Sequence, residues 1–134
     1  LLKATDKAGV LEELVDILMA SGSITDRDAV LEAVWKREKL MSTGLHDGIA
    51  TPHAKTDLVP SIIMAVGLTP AGIEFEALDG NPSRIFILLL SPSSASGSHV
   101  ECLAEIAKRL KEPESRARLL ASTTTDEIHK FFTE

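Results

Sequence analysis

The sequence lacks a long apolar run and a basic-then-apolar leader. Its longest apolar run, IFILLL at 85–90, is far shorter than the roughly 20 residues that a transmembrane helix requires. A single cysteine, Cys102, excludes an internal disulfide and, with the missing leader, favours the reducing cytoplasm. We therefore expect a soluble cytoplasmic protein without membrane insertion. Because the first residue is Leu1 rather than Met, we also expect that a short N-terminal element precedes it.

Basic clusters are absent as well. No run of Lys and Arg exceeds two residues, and the formal net charge is −6. Both features argue against binding to nucleic acid and favour a basic or mixed protein partner.

Apolar residues make up 44% and charged residues 25%, as in folded globular proteins. We predict one domain over residues 1–134.

Several catalytic signatures are missing. HExxH, CxxC and His-x3-His patterns do not occur, and neither do a GxSxG elbow, a P-loop or a dinucleotide fingerprint, so no nucleotide cofactor and no dedicated metal ion are predicted. A metal-dependent hydrolase stays open as the weakest alternative, because several side chains are of metal-ligand type: His46, Asp47, His53, Asp57 and His99.

Apolar periodicity predicts most of the secondary structure. Three- and four-residue spacing indicates helices at about 6–21 and 25–40, the second opened by Thr25. Short apolar runs bounded by Pro, Gly and Asn indicate buried strands at 62–68 and 84–90.

The intervening segments carry weaker signals. Residues 42–53 read as a turn and a very short strand, with His53 just past it. IEFEAL at 73–78 alternates like a half-exposed strand or sheet edge. The small residues at 91–98 predict a flexible loop.

Local start signals predict the C-terminal helices. A capping box of Ser98 with Glu101 would start a third helix at His99, and Pro113 suits the first turn of a short helix. Thr124 and Glu127 form a capping box for the last helix. The order of helix, helix, strands, helix, helix indicates a sheet covered by helices.

Among the four histidines, His53 has the strongest local signal for chemistry. Pro52 restricts the backbone beside it and Gly48 permits an unusual conformation nearby. His99, in the first turn of a predicted helix, would lie near backbone N–H groups that favour an anion. Two histidines could therefore flank an anion, but their spacing does not show that they meet. His129 reads as structural.

The segments WKREKLMSTG, TGLHDGIATPHAK, I-x-F-x-A-L-D-G at 73–80 and SGSHVECLAEIAKRL together resemble the enzyme IIA domain of the bacterial phosphotransferase system. The subtype is the fructose, mannitol and nitrogen-regulatory one. The resemblance covers nearly the whole chain and implies a three-layer α/β/α sandwich with a mixed sheet. The sequence departs from the family pattern in two places, at the pair His46-Asp47 and at Thr51.

The resemblance also implies an activity. His53 would accept a phosphoryl group from the carrier HPr and pass it to an enzyme IIB that works with a membrane IIC component. His99 would steady the phosphoryl oxygens, and Arg37 would neutralise their charge, although Arg37 could equally cap the second helix. An apolar rim including Ile49 and Leu45 would dock both partners. A nitrogen-type regulatory protein is the alternative function.

Overall fold

The computed structural model describes residues 1–133, apart from the side chains of Ser96 and Thr133. Its helices and strands, in chain order, are α1 (Lys7–Ala20), α2 (Arg27–Leu40), β1 (Ile49–Ala50), β2 (His53–Lys55), β3 (Ile63–Ile73), β4 (Ser83–Ser91), α3 (Ser96–Arg109), α4 (Pro113–Leu120) and α5 (Thr125–Thr133). None of the helices in this described part is both long and apolar enough to cross a membrane.

Strand β4 is the centre of a four-stranded mixed sheet. β3 pairs with it in antiparallel orientation along nearly its whole length. β1 and β2 pair with successive parts of β4 in parallel, which aligns His53 with Leu89 and Lys55 with Ser91. This pairing places His53 on the strand that adjoins the C-terminal end of β4.

Alternation along β4 divides the core between two faces of the sheet. Phe86, Leu88 and Leu90 belong to one buried cluster with apolar residues of α1 and α2. Ile85 and Ile87 belong to a second cluster with apolar residues of α3, α4 and α5. Since successive strand residues face opposite sides, both faces carry helices, and the predicted three-layer α/β/α architecture is confirmed.

Two predicted helix starts are wrong. α2 begins at Arg27, and its cap is Asp26 rather than Thr25, because the Asp26 carboxylate accepts the Ala29 N–H at 3.1 Å. α3 begins three residues before His99, with no side-chain hydrogen bond at its cap. A 3-10 helix at Ser93–Ala95 leads straight into α3, so the predicted loop at 91–98 and its capping box are replaced by ordered structure.

Residues 74–78 do not form the predicted strand. β3 ends at Ile73, and Glu76 has a φ of 55° that extended backbone cannot adopt. The alternating pattern instead reflects Phe75, which is buried with its ring 5.3 Å from that of Phe86. His53 lies just past the short strand β1, as predicted, and is itself the first residue of β2.

Other local predictions are confirmed. The short strand at β1 is present, the strand predicted at 62–68 overlaps β3 from Ile63 onward, and the strand predicted at 84–90 falls within β4. Pro113 is the first residue of α4. The Thr124 hydroxyl accepts the Glu127 N–H at 3.2 Å at the start of α5, which is one of the two hydrogen bonds of a capping box.

Candidate active site

The ring of His53 is held by the backbone two residues before it. Its Nδ1 lies 2.7 Å from the Thr51 carbonyl oxygen. A carbonyl can only accept a hydrogen bond, so Nδ1 carries the ring hydrogen of the neutral imidazole. The lone pair is therefore on Nε2, which is the ring atom available to act as a nucleophile.

His99 lies beside this ring although it is 46 positions further along the chain. The two ring centroids are 5.2 Å apart and the rings are inclined by 62°. His99 is only 2% exposed, and its Nδ1 lies 2.5 Å from the Ser91 hydroxyl at the end of β4. With that hydroxyl as the donor, Nε2 of His99 carries a hydrogen and can donate it to an anion.

Arg37 binds the end of α2 and also lies near His53. Its Nη1 donates to the Met41 carbonyl oxygen at 2.8 Å, just after the end of α2. It also lines the same clefts as His53, and its charge lowers the pKa of that histidine. The guanidinium is thus close enough to His53 to affect its chemistry while also binding the helix end.

Two clefts meet at His53 and Arg37. One, here called the apolar cleft, has a volume of about 510 Å³ and is lined by Leu45, Ile49, Leu78, Leu103 and Ile106 among others. The second, the basic cleft, has a volume of about 540 Å³, and its lining includes Lys36, Arg37 and Lys55 with no carboxylate among the described residues. An incoming anionic group would thus meet cations on one side of His53 and apolar surface on the other.

The predicted rim residues Leu45 and Ile49 both line the apolar cleft at His53. Ile49 is buried in the second core cluster and Leu45 is half-buried. More exposed apolar side chains beside the clefts are Leu40, Met41 and Leu78, which are 80%, 63% and 59% exposed.

Burial is the main cause of a lowered pKa at both histidines. At His53 the hydrogen bond to Thr51 opposes this effect, the charges of Arg37 and Lys55 reinforce it, and the charge of Glu38 opposes it. At His99 the positive charge that His53 carries when protonated and the charge of Lys55 add to the effect of burial. Burial thus favours the neutral form of both rings, and only the neutral form of an imidazole has a nitrogen lone pair free to act as a nucleophile.

The lowered pKa values predict how both rings titrate. In a histidine NMR titration of the folded protein, His53 and His99 should protonate below the ordinary value of about 6.5. The protein unfolded in urea is the control, since its rings should titrate near that value. Because the unfolded chain then binds more protons, the free energy of unfolding should decrease as pH falls below about 6.5. Native rings that titrate at or above 6.5 would contradict this.

The other histidines and the single cysteine differ from His53 and His99 in their surroundings. His46 is exposed and lines the apolar cleft, His129 is exposed on α5, and Cys102 is a half-buried free thiol on α3. Within residues 1–133, no three His, Cys, Asp or Glu side chains are grouped closely enough to hold a metal ion.

Sequence reasoning missed Ser91 and Glu38. Ser91 was detectable as the polar residue that ends an otherwise apolar strand. Glu38, which is 4% exposed, had no such signal because it belongs to a helix rich in charged residues.

Comparison with known proteins adds independent information. A family model described as "Phosphoenolpyruvate-dependent sugar phosphotransferase system, EIIA 2" matches residues 1–134. The fructose-specific EIIABC component of Bacillus subtilis (strain 168) is 35% identical over 127 residues, which cover 95% of this chain and 20% of that protein. The fructose-specific EIIA component of Haloferax volcanii is 32% identical over 128 residues, which cover 96% of this chain and 83% of that protein.

Two solved structures are also similar. The nitrogen regulatory protein IIA-Ntr from Neisseria meningitidis matches with a TM-score of 0.89 and 30% identity, covering 97% of this chain and 88% of that one. Mannitol enzyme IIA, solved in complex with phosphorylated mannitol enzyme IIB from Escherichia coli, matches with a TM-score of 0.82 and 22% identity, covering 98% of this chain and 90% of that one. At 22% identity, the likeness to mannitol enzyme IIA shows a shared fold.

Proposed function

Because the chain belongs to the EIIA 2 family of the phosphoenolpyruvate-dependent sugar phosphotransferase system, we propose that it is a phosphocarrier that uses His53 as its phosphoryl acceptor. The observation that carries this proposal is the bond from His53 Nδ1–H to the Thr51 carbonyl. It leaves the Nε2 lone pair free, at a residue that lines two clefts and lies beside His99.

The transfer is a displacement at phosphorus. The Nε2 lone pair of His53 attacks the phosphorus of a phosphohistidine donor, a new N–P bond forms, and the donor's N–P bond breaks with its electrons returning to the donor ring. The hydrogen bond from His53 Nδ1–H to the Thr51 carbonyl oxygen is kept throughout. Onward transfer reverses these roles, since a nucleophile of the next protein attacks and Nε2 recovers its lone pair.

Arg37 and His99 supply the charge stabilisation in this proposal. The equatorial phosphoryl oxygens carry negative charge in the transition state, and fixed donors directed at them lower the barrier. A guanidinium beside His53 and an N–H from the buried His99 meet that need without a nucleotide or a metal ion. Lys36 and Lys55 extend the positive field across the basic cleft.

The partners in this proposal are HPr as donor and an enzyme IIB as acceptor. The mannitol relative was solved with a phosphorylated enzyme IIB, which supports a partner of that kind here. Leu40, Met41 and Leu78 are exposed beside the clefts at His53, and exposed apolar side chains grouped in this way are typical of protein interaction sites. One overlapping surface would serve both partners in turn, through the small, transient interfaces that suit a relay.

A regulatory role is the second candidate. The similarity to the neisserial nitrogen regulatory protein, at 30% identity over 88% of that chain, supports this role to about the same extent as the Haloferax fructose-specific protein, of which 83% is covered, supports transport. Under this alternative, His53 is still phosphorylated, but the phosphorylated and unphosphorylated forms bind different target proteins.

The test is an intact-mass assay with phosphoenolpyruvate, enzyme I and HPr. We expect a gain of one acid-labile phosphoryl group and no gain when HPr is omitted. Adding a purified fructose-type enzyme IIB should then return the chain to its original mass and phosphorylate the IIB, as a transport role requires. Retention of the group by this chain would favour the regulatory role. If HPr phosphorylates a reference enzyme IIA but not this chain, the proposed function is wrong.

A further inference from the structure

A buried carboxylate lies beneath the candidate site without taking part in the proposed transfer. The Glu38 side chain is only 1% exposed and forms an ion pair with Lys7 Nζ at 2.8 Å. Its two oxygens also accept the N–H of Thr43 at 2.9 Å and the Thr43 hydroxyl at 2.6 Å. Glu38 therefore accepts hydrogen bonds from both the backbone N–H and the hydroxyl of Thr43. Lys7, on α1, balances its negative charge.

Hydrogen bonds continue from Thr43 to the nucleophile. The Thr51 N–H donates to the Thr43 carbonyl oxygen at 3.0 Å, and the Thr51 carbonyl accepts Nδ1–H of His53 at 2.7 Å. Gly44 and Ala50 form an antiparallel bridge alongside, and Leu45 N–H donates to the Ile49 carbonyl at 2.7 Å. The backbone that fixes the His53 ring is thus itself fixed against the segment that Glu38 holds.

Stability alone is a weak reason for this arrangement. Moving an ion pair out of water costs free energy that the attraction between the charges often does not recover, and apolar replacements can be as stable. Hydrogen bonds to both oxygens of one carboxylate, in contrast, specify the position of residue 43 closely.

We propose that Glu38 is a positioning residue for His53, acting through Thr43 and Thr51 to place the carbonyl that binds Nδ1–H and so to leave Nε2 as the nucleophilic atom. The inference rests on the proposed function for its consequence in phosphoryl transfer. Its structural part, the ring tautomer, can be measured without any transfer.

Glu38 also affects His53 through its negative charge, and an experiment must separate this electrostatic effect from the positioning of the ring. The negative charge of Glu38 raises the pKa of His53, whereas the charges of Arg37 and Lys55 lower it. Removing the Glu38 charge should therefore lower the pKa of His53 further. Removing only the hydroxyl of Thr43 leaves all of these charges in place.

The first variant is Glu38→Gln, with Glu76→Gln as its matched control. Glu76 also pairs with Lys7, at 3.4 Å, but its side chain is 76% exposed. In Glu38→Gln, imidazole ¹⁵N shifts should show a smaller Nδ1–H fraction at His53, and the pKa of His53 should fall further because a charge that raises it has been removed. Phosphoryl acceptance from HPr should slow by about tenfold or more, because small misplacements of a nucleophile are costly. The control should match the wild type in all three measurements.

The second variant, Thr43→Val, keeps the buried ion pair and covers the case in which Glu38→Gln does not fold. It should reduce the Nδ1–H fraction and the transfer rate with little change in the pKa of His53, and Thr43→Ser should restore both. A wild-type tautomer in folded Thr43→Val overturns the proposal, as does a change of pKa without a change of tautomer in Glu38→Gln. If the tautomer changes but the wild-type chain accepts no phosphoryl group, the proposed function fails and the positioning role stands.

Discussion

Replacing His53 by alanine is expected to abolish phosphoryl acceptance from HPr, with a loss of at least about 10⁴-fold in rate, as for other catalytic nucleophiles. His53 is the residue whose Nε2 is left free by the Thr51 bond and which lines both clefts. The buried His99, bonded to Ser91, is in a poor position to replace it. Intact mass after incubation with phosphoenolpyruvate, enzyme I and HPr measures the effect directly.

His46→Ala is the matched control for this experiment. His46 also lines the apolar cleft but is exposed, so its removal should leave one phosphoryl group per chain. Thermal unfolding of both variants would show whether each is folded. A phosphoryl group that persists in folded His53→Ala would assign the acceptor to another residue and contradict the proposed site.

The second large effect is expected at His99. His99→Ala should still accept one phosphoryl group at His53, but more slowly by roughly 10² to 10³-fold, which is the usual loss when a fixed donor to a developing anion is removed. Single-turnover rates with phospho-HPr separate this slow transfer from a lost acceptor. The Nε2–H of His99, held beside His53 by Ser91, is the donor whose loss we expect to measure.

Two further variants distinguish stabilisation of the phosphoryl group from packing. Ser91→Ala keeps the His99 ring but removes the partner of its Nδ1, so we expect a loss of about tenfold, which is what the loss of one neutral hydrogen bond can cause. His99→Gln retains an N–H donor and should be faster than His99→Ala. Equal rates for wild type and folded His99→Ala would show that this ring takes no part in the transfer.

The local elements of this protein could be predicted because neighbouring residues encode them. Three- and four-residue apolar spacing indicated α1 and α2, continuous apolar runs indicated β3 and β4, and Pro113 indicated the start of α4. The errors occurred where tertiary contacts override local pattern. Phe75 alternates like a strand residue because it packs against Phe86, and α3 begins before its apparent capping box because a 3-10 helix leads into it.

The sequence by itself thus determined the helices, the buried strands, the family resemblance and His53 as the leading candidate, since each depends on residues close together in the chain. Only the tertiary structure decided that His53 and His99 lie 5.2 Å apart, that Ser91 bonds one ring, and that Glu38 is buried beneath the other. The physical reason is the central position of β4. Its pairing with β2 brings His53 next to the strand end from which Ser91 reaches His99, and no local spacing encodes a contact made across a sheet.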